Sequence, residues 1–199
     1  MRTTKVVESV DIEAPRPAVF DIIASCKSRL QLSPLWGAVE IQEATPEFPQ
    51  EGSYYHSKLI EDDEEYDTIV TAYEPTQKFA YRLTNSRQTQ TTWTFQDLPQ
   101  GTRVIYHEEF AVDEAGEEEF VHSVRKVVQE WLNNIKRYAE LSNRWWGKLA
   151  RWGVDRFVLP LKVPQRRVIF ILLAWEAVGC LSFIALGLGW GLAKLLGWM

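Results

Sequence analysis

General acid–base work in a chain of 199 residues falls first to histidine, and there are only three: His56, His107 and His122. His107 alternates with Tyr106 and so points away from the face that Tyr106 takes, and His122 lies among charged residues at the start of a helical pattern. His56 sits beside Tyr54 and Tyr55, where the facing is ambiguous. Among the carboxylates, Glu108 stands two residues beyond Tyr106 on an alternating run and shares its face. A carboxyl and a phenol on one face can hold and pass a proton if a bound molecule comes between them. Glu108, His56 and Tyr106 are the weak catalytic candidates of this sequence, and none belongs to a recognised constellation.

Other chemistries find less. No His, Cys, Asp or Glu cluster has the spacing of a zinc site, no glycine-rich loop is shaped for phosphate, and no serine or cysteine stands in a nucleophile motif. No metal and no cofactor are expected. The acidic run Glu61–Glu65 lacks the alternating ligands and glycine of a calcium loop and reads as a solvated hairpin tip. Cys26 and Cys180 cannot build a disulfide framework, which favours a reducing, cytosol-facing compartment.

The elements that must carry these residues follow from periodicity. Residues 5–13 alternate as a half-buried strand, stopped by Ala14-Pro15-Arg16-Pro17. A short helix follows, with Val19, Phe20, Ile22 and Ile23 as its apolar side, and Ser33-Pro34 ends that helical region. Strands are predicted at 38–42, 53–60, 66–73, 78–84, 89–96 and 102–112, separated by turn residues in gaps short enough for hairpins. After Gly116 the period becomes helical. Phe120, Val124, Val127, Val128, Trp131, Ile135 and Tyr138 recur at three and four, so a long amphipathic helix is predicted. A meander twists and curls, and one helix laid on its concave face need not fill it, so a cavity is expected. The side chains predicted to line it are Tyr81, Trp93, Phe95 and Tyr106 from the sheet, with Phe120, Val124 and Trp131 from the helix. That lining suits a mostly apolar molecule with one or two polar points.

Particular residues fit this layout to a known one. They are Val10-Asp11-Ile12-Glu13-Ala14-Pro15 with Val19-Phe20 behind, Leu35-Trp36 before the second strand, and Gly52 before the third. Tyr73-Glu74-Pro75 before Phe79-Ala80-Tyr81, Thr92-Trp93-Thr94-Phe95 and Gly101-Thr102-Arg103-Val104 complete the set. Over residues 5–141 the chain resembles the START-like, helix-grip superfamily (SRPBCC), and within it the polyketide cyclase/dehydrase and lipid-transport family. The resemblance implies an α+β fold with a curved antiparallel sheet around a long C-terminal helix. These motifs specify fold well and ligand poorly, and they do not account for the tail.

The tail differs in composition. The chain's net charge of -5 divides into -11 over residues 1–143 and +6 over 144–199, because eight of the 22 Lys and Arg but only two of the 27 Asp and Glu lie in the tail. Val168 to Ala193 is an apolar run broken only by Glu176, long enough for the ~20 residues a membrane span requires. The expected organisation is a ligand-binding domain at 1–143, a basic, Trp-rich juxtamembrane segment at 144–167, a transmembrane helix at 168–193 and a far-side interfacial end at 194–199. In the juxtamembrane segment Arg144, Lys148, Arg151 and Asp155 fall on one side of a helix, and Trp145, Trp146, Leu149, Ala150 and Phe157 on the other. Such a helix suits the headgroup layer of anionic lipids, or else packs on the soluble domain. The basic residues before the span place the N-terminal domain in the cytoplasm, as a single-pass protein of the cell membrane. Glu176 and the Gly187/Gly191 pair are candidate contacts for a homodimer or a membrane-protein partner. Nucleic acid is disfavoured by the acidic first part.

The functional expectation is a membrane-anchored binder or transporter of a hydrophobic small molecule: a lipid, an isoprenoid or quinone, or a polyketide-like ring system. A membrane-bound cyclase or dehydratase-type enzyme and an interaction module with a vestigial pocket remain the alternatives.

Overall fold

The computed structural model describes residues 2–60, 63–113, 117–141, 146–166, 168, 169, 171, 172, 175 and 176. Its first compact unit ends at Pro160. In chain order it holds β1 (Arg2–Ile12), α1 (Arg16–Ala24), α2 (Cys26–Leu32), β2 (Val39–Ala44), β3 (Tyr54–Leu59), β4 (Glu65–Glu74), β5 (Lys78–Leu83), β6 (Gln90–Leu98), β7 (Gly101–Val112), α3 (Glu117–Glu140) and α4 (Gly147–Gly153). A π-helical turn, Val154–Val158, continues α4.

All seven strands form one antiparallel sheet in the order β1-β7-β6-β5-β4-β3-β2. Short hairpins force neighbours in sequence to pair, while the two helices between β1 and β2 send these strands to opposite edges. The predicted single helical region is two helices. Ser25 interrupts it in an extended conformation, and its hydroxyl caps α2 by accepting from the Ser28 amide at 3.3 Å.

Alternation sets the inner face. Thr102, Val104, Tyr106, Phe110 and Val112 of β7 are buried, as are Thr91, Trp93 and Phe95 of β6 and Phe79 and Tyr81 of β5. α3 lays Val128, Trp131, Leu132, Ile135, Tyr138 and Ala139 against that face. Its polar flank is tied to β1: Arg125 pairs with Glu8 at 3.1 Å, and the Lys136 ammonium donates to the Asp11 carbonyl at 2.7 Å. At the β6–β7 turn, Gly101 has φ +148°, and a Cβ there would stand 2.0 Å from the Ile12 carbonyl oxygen. Only glycine allows that approach.

After α3 the chain docks back on the same unit. The Tyr138 hydroxyl donates to Asp155 at 2.6 Å, the Arg151 guanidinium lies 4.8 Å from the Tyr138 ring, and Leu159 is buried. Arg151 and Asp155 therefore meet the domain at Tyr138, while Leu149, Trp152 and Phe157 are 71%, 59% and 60% exposed. The predicted boundary at 143/144 falls among residues outside the described ones. So does most of the predicted span 168–193, including Gly187 and Gly191, and all of 194–199. The second unit, from Leu161 on, is helical at 163–166 and at the described positions from 168 to 176. No helix among the described residues is long and apolar enough to cross a membrane.

Candidate functional site

The aromatic packing fills the concave face unevenly. Near the β1–α1 end, Phe20 packs on Phe95 and Tyr73 with centroids 5.2 and 5.6 Å apart, and the core is solid. Toward β2 and β3 the sheet curls away from α3, and α2 with the 33–38 loop roofs a gap of about 140 Å³. Its floor is Tyr55 and Ser57 from β3, Tyr66 and Thr68 from β4, Tyr81 from β5, Thr91 from β6, and Tyr106 and Glu108 from β7. Leu30, Leu35, Trp36 and Trp131 close it from above. A second cavity of about 340 Å³ adjoins it under α3, where Phe120, Ser123, Val124 and Val127 complete the wall. The two share Ser33, Leu35, Tyr106, Glu108 and Trp131. Leu35, 50% exposed, caps both.

The predicted residues therefore divide. Tyr81, Tyr106 and Trp131 line the first cavity, and Tyr106, Phe120, Val124 and Trp131 line the second. Trp93 and Phe95 are buried below the lining; Trp93 supports it edge-on, its ring 4.6 Å from Tyr106 and 5.2 Å from Trp131. Of the three weak catalytic candidates, Glu108 and Tyr106 come together at the wall between the cavities. His56 does not join them. Its ring is held to Asp67 on the neighbouring strand at 2.7 Å, outside both linings, and that carboxylate raises its pKa.

Glu108 breaks the chemistry of its own strand, taking an inward register position between Tyr106 and Phe110. Burial raises its pKa, and the Tyr106 hydroxyl, donating to the carboxylate, offsets only part of that rise. Tyr106 is itself pushed far up by burial and by the acid beside it. The phenol of Tyr81 is pushed up to about 12, chiefly by burial. At neutral pH the phenols of Tyr81 and Tyr106 are therefore protonated donors.

Sequence reasoning missed the roof support, Arg29. It is fully buried, donates to the Ile23 carbonyl at 2.7 Å and the Tyr55 hydroxyl at 3.1 Å, and sits 4.9 Å from the rings of Phe79 and Tyr81. Burial opposes its charge, but the hydrogen bond to the Tyr55 oxygen and the faces of Phe79 and Tyr81 favour it, and arginine stays a cation. Missed as well were Tyr55 and Ser57. Alternation from Tyr54 to Lys58 could have found them, had either face been apolar enough to set the phase. Three lining residues keep unsatisfied buried polar atoms: the hydroxyls of Ser57 and Thr68 and the Trp36 indole N–H. Such atoms are costly unless something meets them.

The arrangement can enclose an apolar molecule and offer it phenol donors, an indole N–H, a hydroxyl and one carboxyl. Among the described residues no cluster of His, Cys, Asp or Glu is placed to hold a metal ion.

The family pattern described as "Polyketide cyclase / dehydrase and lipid transport" matches residues 3–140. No curated protein matches the chain. Among solved structures, the Aha1 dimer from Colwellia psychrerythraea is similar at 12% identity and TM-score 0.54, over 71% of this chain and 99% of that one. The Polyketide_cyc-like protein Cgl2372 from Corynebacterium glutamicum is similar at 17% identity and TM-score 0.51, over 72% and 95%. Protein MLL2253 from Mesorhizobium loti is similar at 14% identity and TM-score 0.52, over 67% and 95%. At these identities the likeness is one of fold.

Proposed function

We propose that this chain, which belongs to the polyketide cyclase/dehydrase and lipid-transport family of the SRPBCC superfamily, binds a small hydrophobic molecule between its sheet and α3 and works from a membrane surface. The observation that carries the binding is the aromatic cavity whose wall keeps unsatisfied polar atoms at Ser57, Thr68 and Trp36. A well-packed core leaves little such space and few orphaned polar atoms. The adjoining spaces of about 140 and 340 Å³ suit one ring system or a short chain better than a whole diacyl lipid. Leu35 is the residue to move for entry.

The membrane part of the reading rests on the apolar run 168–193 and on the outward Leu149, Trp152 and Phe157, with Lys148 and Arg156 close by in sequence. An apolar, aromatic face beside cations suits the interface of anionic lipid. With the positive charge before the span, the binding domain lies on the cytoplasmic side of the cell membrane. Glu176, Gly187 and Gly191 are the residues through which a second copy or another membrane protein would be met.

The test has two arms. Quenching of tryptophan fluorescence by naphthalene-type probes in the detergent-extracted chain, abolished by Leu35→Trp together with Val124→Trp to plug the cavities, supports binding. Extraction of the intact chain from vesicles by alkaline wash refutes the anchor. A second reading, a cyclase or dehydratase, is favoured by the buried carboxyl of Glu108 beside Tyr106. It requires turnover that Glu108→Gln removes while binding persists.

A further inference from the structure

Glu108 has no cationic partner among the described residues. Arg29, a fully buried cation, lies against the rings of Tyr55 and Tyr81, its two terminal nitrogens donate to Ile23 and Tyr55, and no ion pair joins it to Glu108 among the described residues. Arg87 lies over the Phe120 ring at 3.9 Å, Arg125 pairs with Glu8 on β1, and Lys136 donates to the Asp11 carbonyl and pairs with Glu140. The groups that do face the carboxyl are the Tyr106 hydroxyl on its own strand, Thr91 on β6, Tyr81 on β5, and Ser123 and Trp131 on α3. All are neutral. A carboxylate at an inward strand position, served by one phenol donor, is an expensive residue for a mere core.

What surrounds it favours one kind of guest. Trp131, Tyr106 and Tyr81 turn aromatic rings toward the same space, with Trp36 and Tyr66 farther along the lining. Aromatic faces attract cations and add to the attraction of a nearby carboxylate. From this geometry we infer that the ligand is a hydrophobic molecule bearing a protonated nitrogen, an aryl- or alkylamine, whose ammonium sits at Glu108 between the two cavities. The inference rests on the cavity-binding reading above and adds its substrate class. An anionic tail of the same size is rejected, because it would meet the carboxylate in a site with little water to screen the two charges. The acid explains the shared wall: a nitrogen held there lets the apolar part extend into either space.

The test is a titration near neutral pH of the full chain in nonionic detergent. The probes are three naphthalenes with arms of equal length ending in an amine, an alcohol and a carboxylate, and detergent alone is titrated to subtract partitioning. The amine is expected to bind tighter than the alcohol by roughly tenfold or more, and the carboxylate weakest. Glu108→Gln, similar in shape, is expected to lose about tenfold or more for the amine and to leave the alcohol within about threefold, which also shows that the variant is folded. If the alcohol equals the amine, or the Gln variant keeps the amine preference, the amine assignment is overturned while an apolar binding cavity stands. If no probe binds, both readings fall.

Discussion

Glu108→Gln also carries a stability prediction whose sign follows from linkage. Burial raises the folded-state pKa of Glu108 above the ordinary carboxyl value of about 4.3. Below that ordinary value the acid is protonated in both states, and the wild type has its full stability. As pH rises the unfolded chain ionises first, so stability is lost until pH passes the raised folded value, and is then level. The slope through that window is about 1.4 kcal/mol per pH unit. Glutamine, which cannot ionise, keeps a hydrogen-bonding oxygen for the Tyr106 hydroxyl and removes this loss. The variant should therefore match the wild type in mild acid and pull ahead as pH rises, by about 2–4 °C in melting temperature per kcal/mol for a chain of this size. Thermal melts by tryptophan fluorescence, run across the pH series on the ligand-free protein, read the gap directly. A gap that stays constant with pH, or a variant less stable at every pH, would refute the idea that a largely desolvated carboxylate without a cationic partner is held there at a cost.

Other expectations are independent of Glu108. Gly101→Ala must push a methyl group into the Ile12 carbonyl at positive φ and should cost about 2 kcal/mol or more by thermal unfolding. Arg29→Ala should cost about 2–4 kcal/mol, since it opens a hole and strips donors from Ile23 and Tyr55, whereas Arg29→Met, which refills the space, should recover part of that. Tyr138→Phe should loosen α4 and the π turn by about 1 kcal/mol, seen as faster tryptic cleavage after Lys148 and Arg151 with the sheet still protected from hydrogen exchange. His56→Asn should leave probe binding unchanged. It should also remove a small pH dependence: the His56–Asp67 pair stabilises below the unfolded histidine value and is lost as pH rises through the raised folded one.

The sheet and α3 were readable in the sequence because Val10–Ile12, Thr92–Phe95 and Thr102–Val112 alternate cleanly and the turn residues between them are unambiguous. Tyr81, Tyr106 and Glu108 came with that alternation, and Trp131 with the helical spacing of α3. Tyr55 and Ser57 did not, because Tyr54–Lys58 is polar on both faces and gives the period no phase. Arg29 was illegible for a different reason: its charge is satisfied by phenols and a carbonyl that only the fold brings near. The break at Ser25 hides in a run whose apolar spacing carries on through it. Around α4, Tyr138 engages Arg151 and Asp155 through its hydroxyl, and Trp152, which the helical pattern assigns to neither side, joins Leu149 and Phe157 on the outward face.

The central claim is an interior built to hold a hydrophobic guest. Native mass spectrometry of the full chain, extracted gently in nonionic detergent, tests it most directly. The account expects a protein peak displaced by one small organic ligand, lost on activation and absent from the Leu35→Trp, Val124→Trp double variant. A single bare mass under the mildest conditions, with added naphthalene probes failing to shift it, would contradict it.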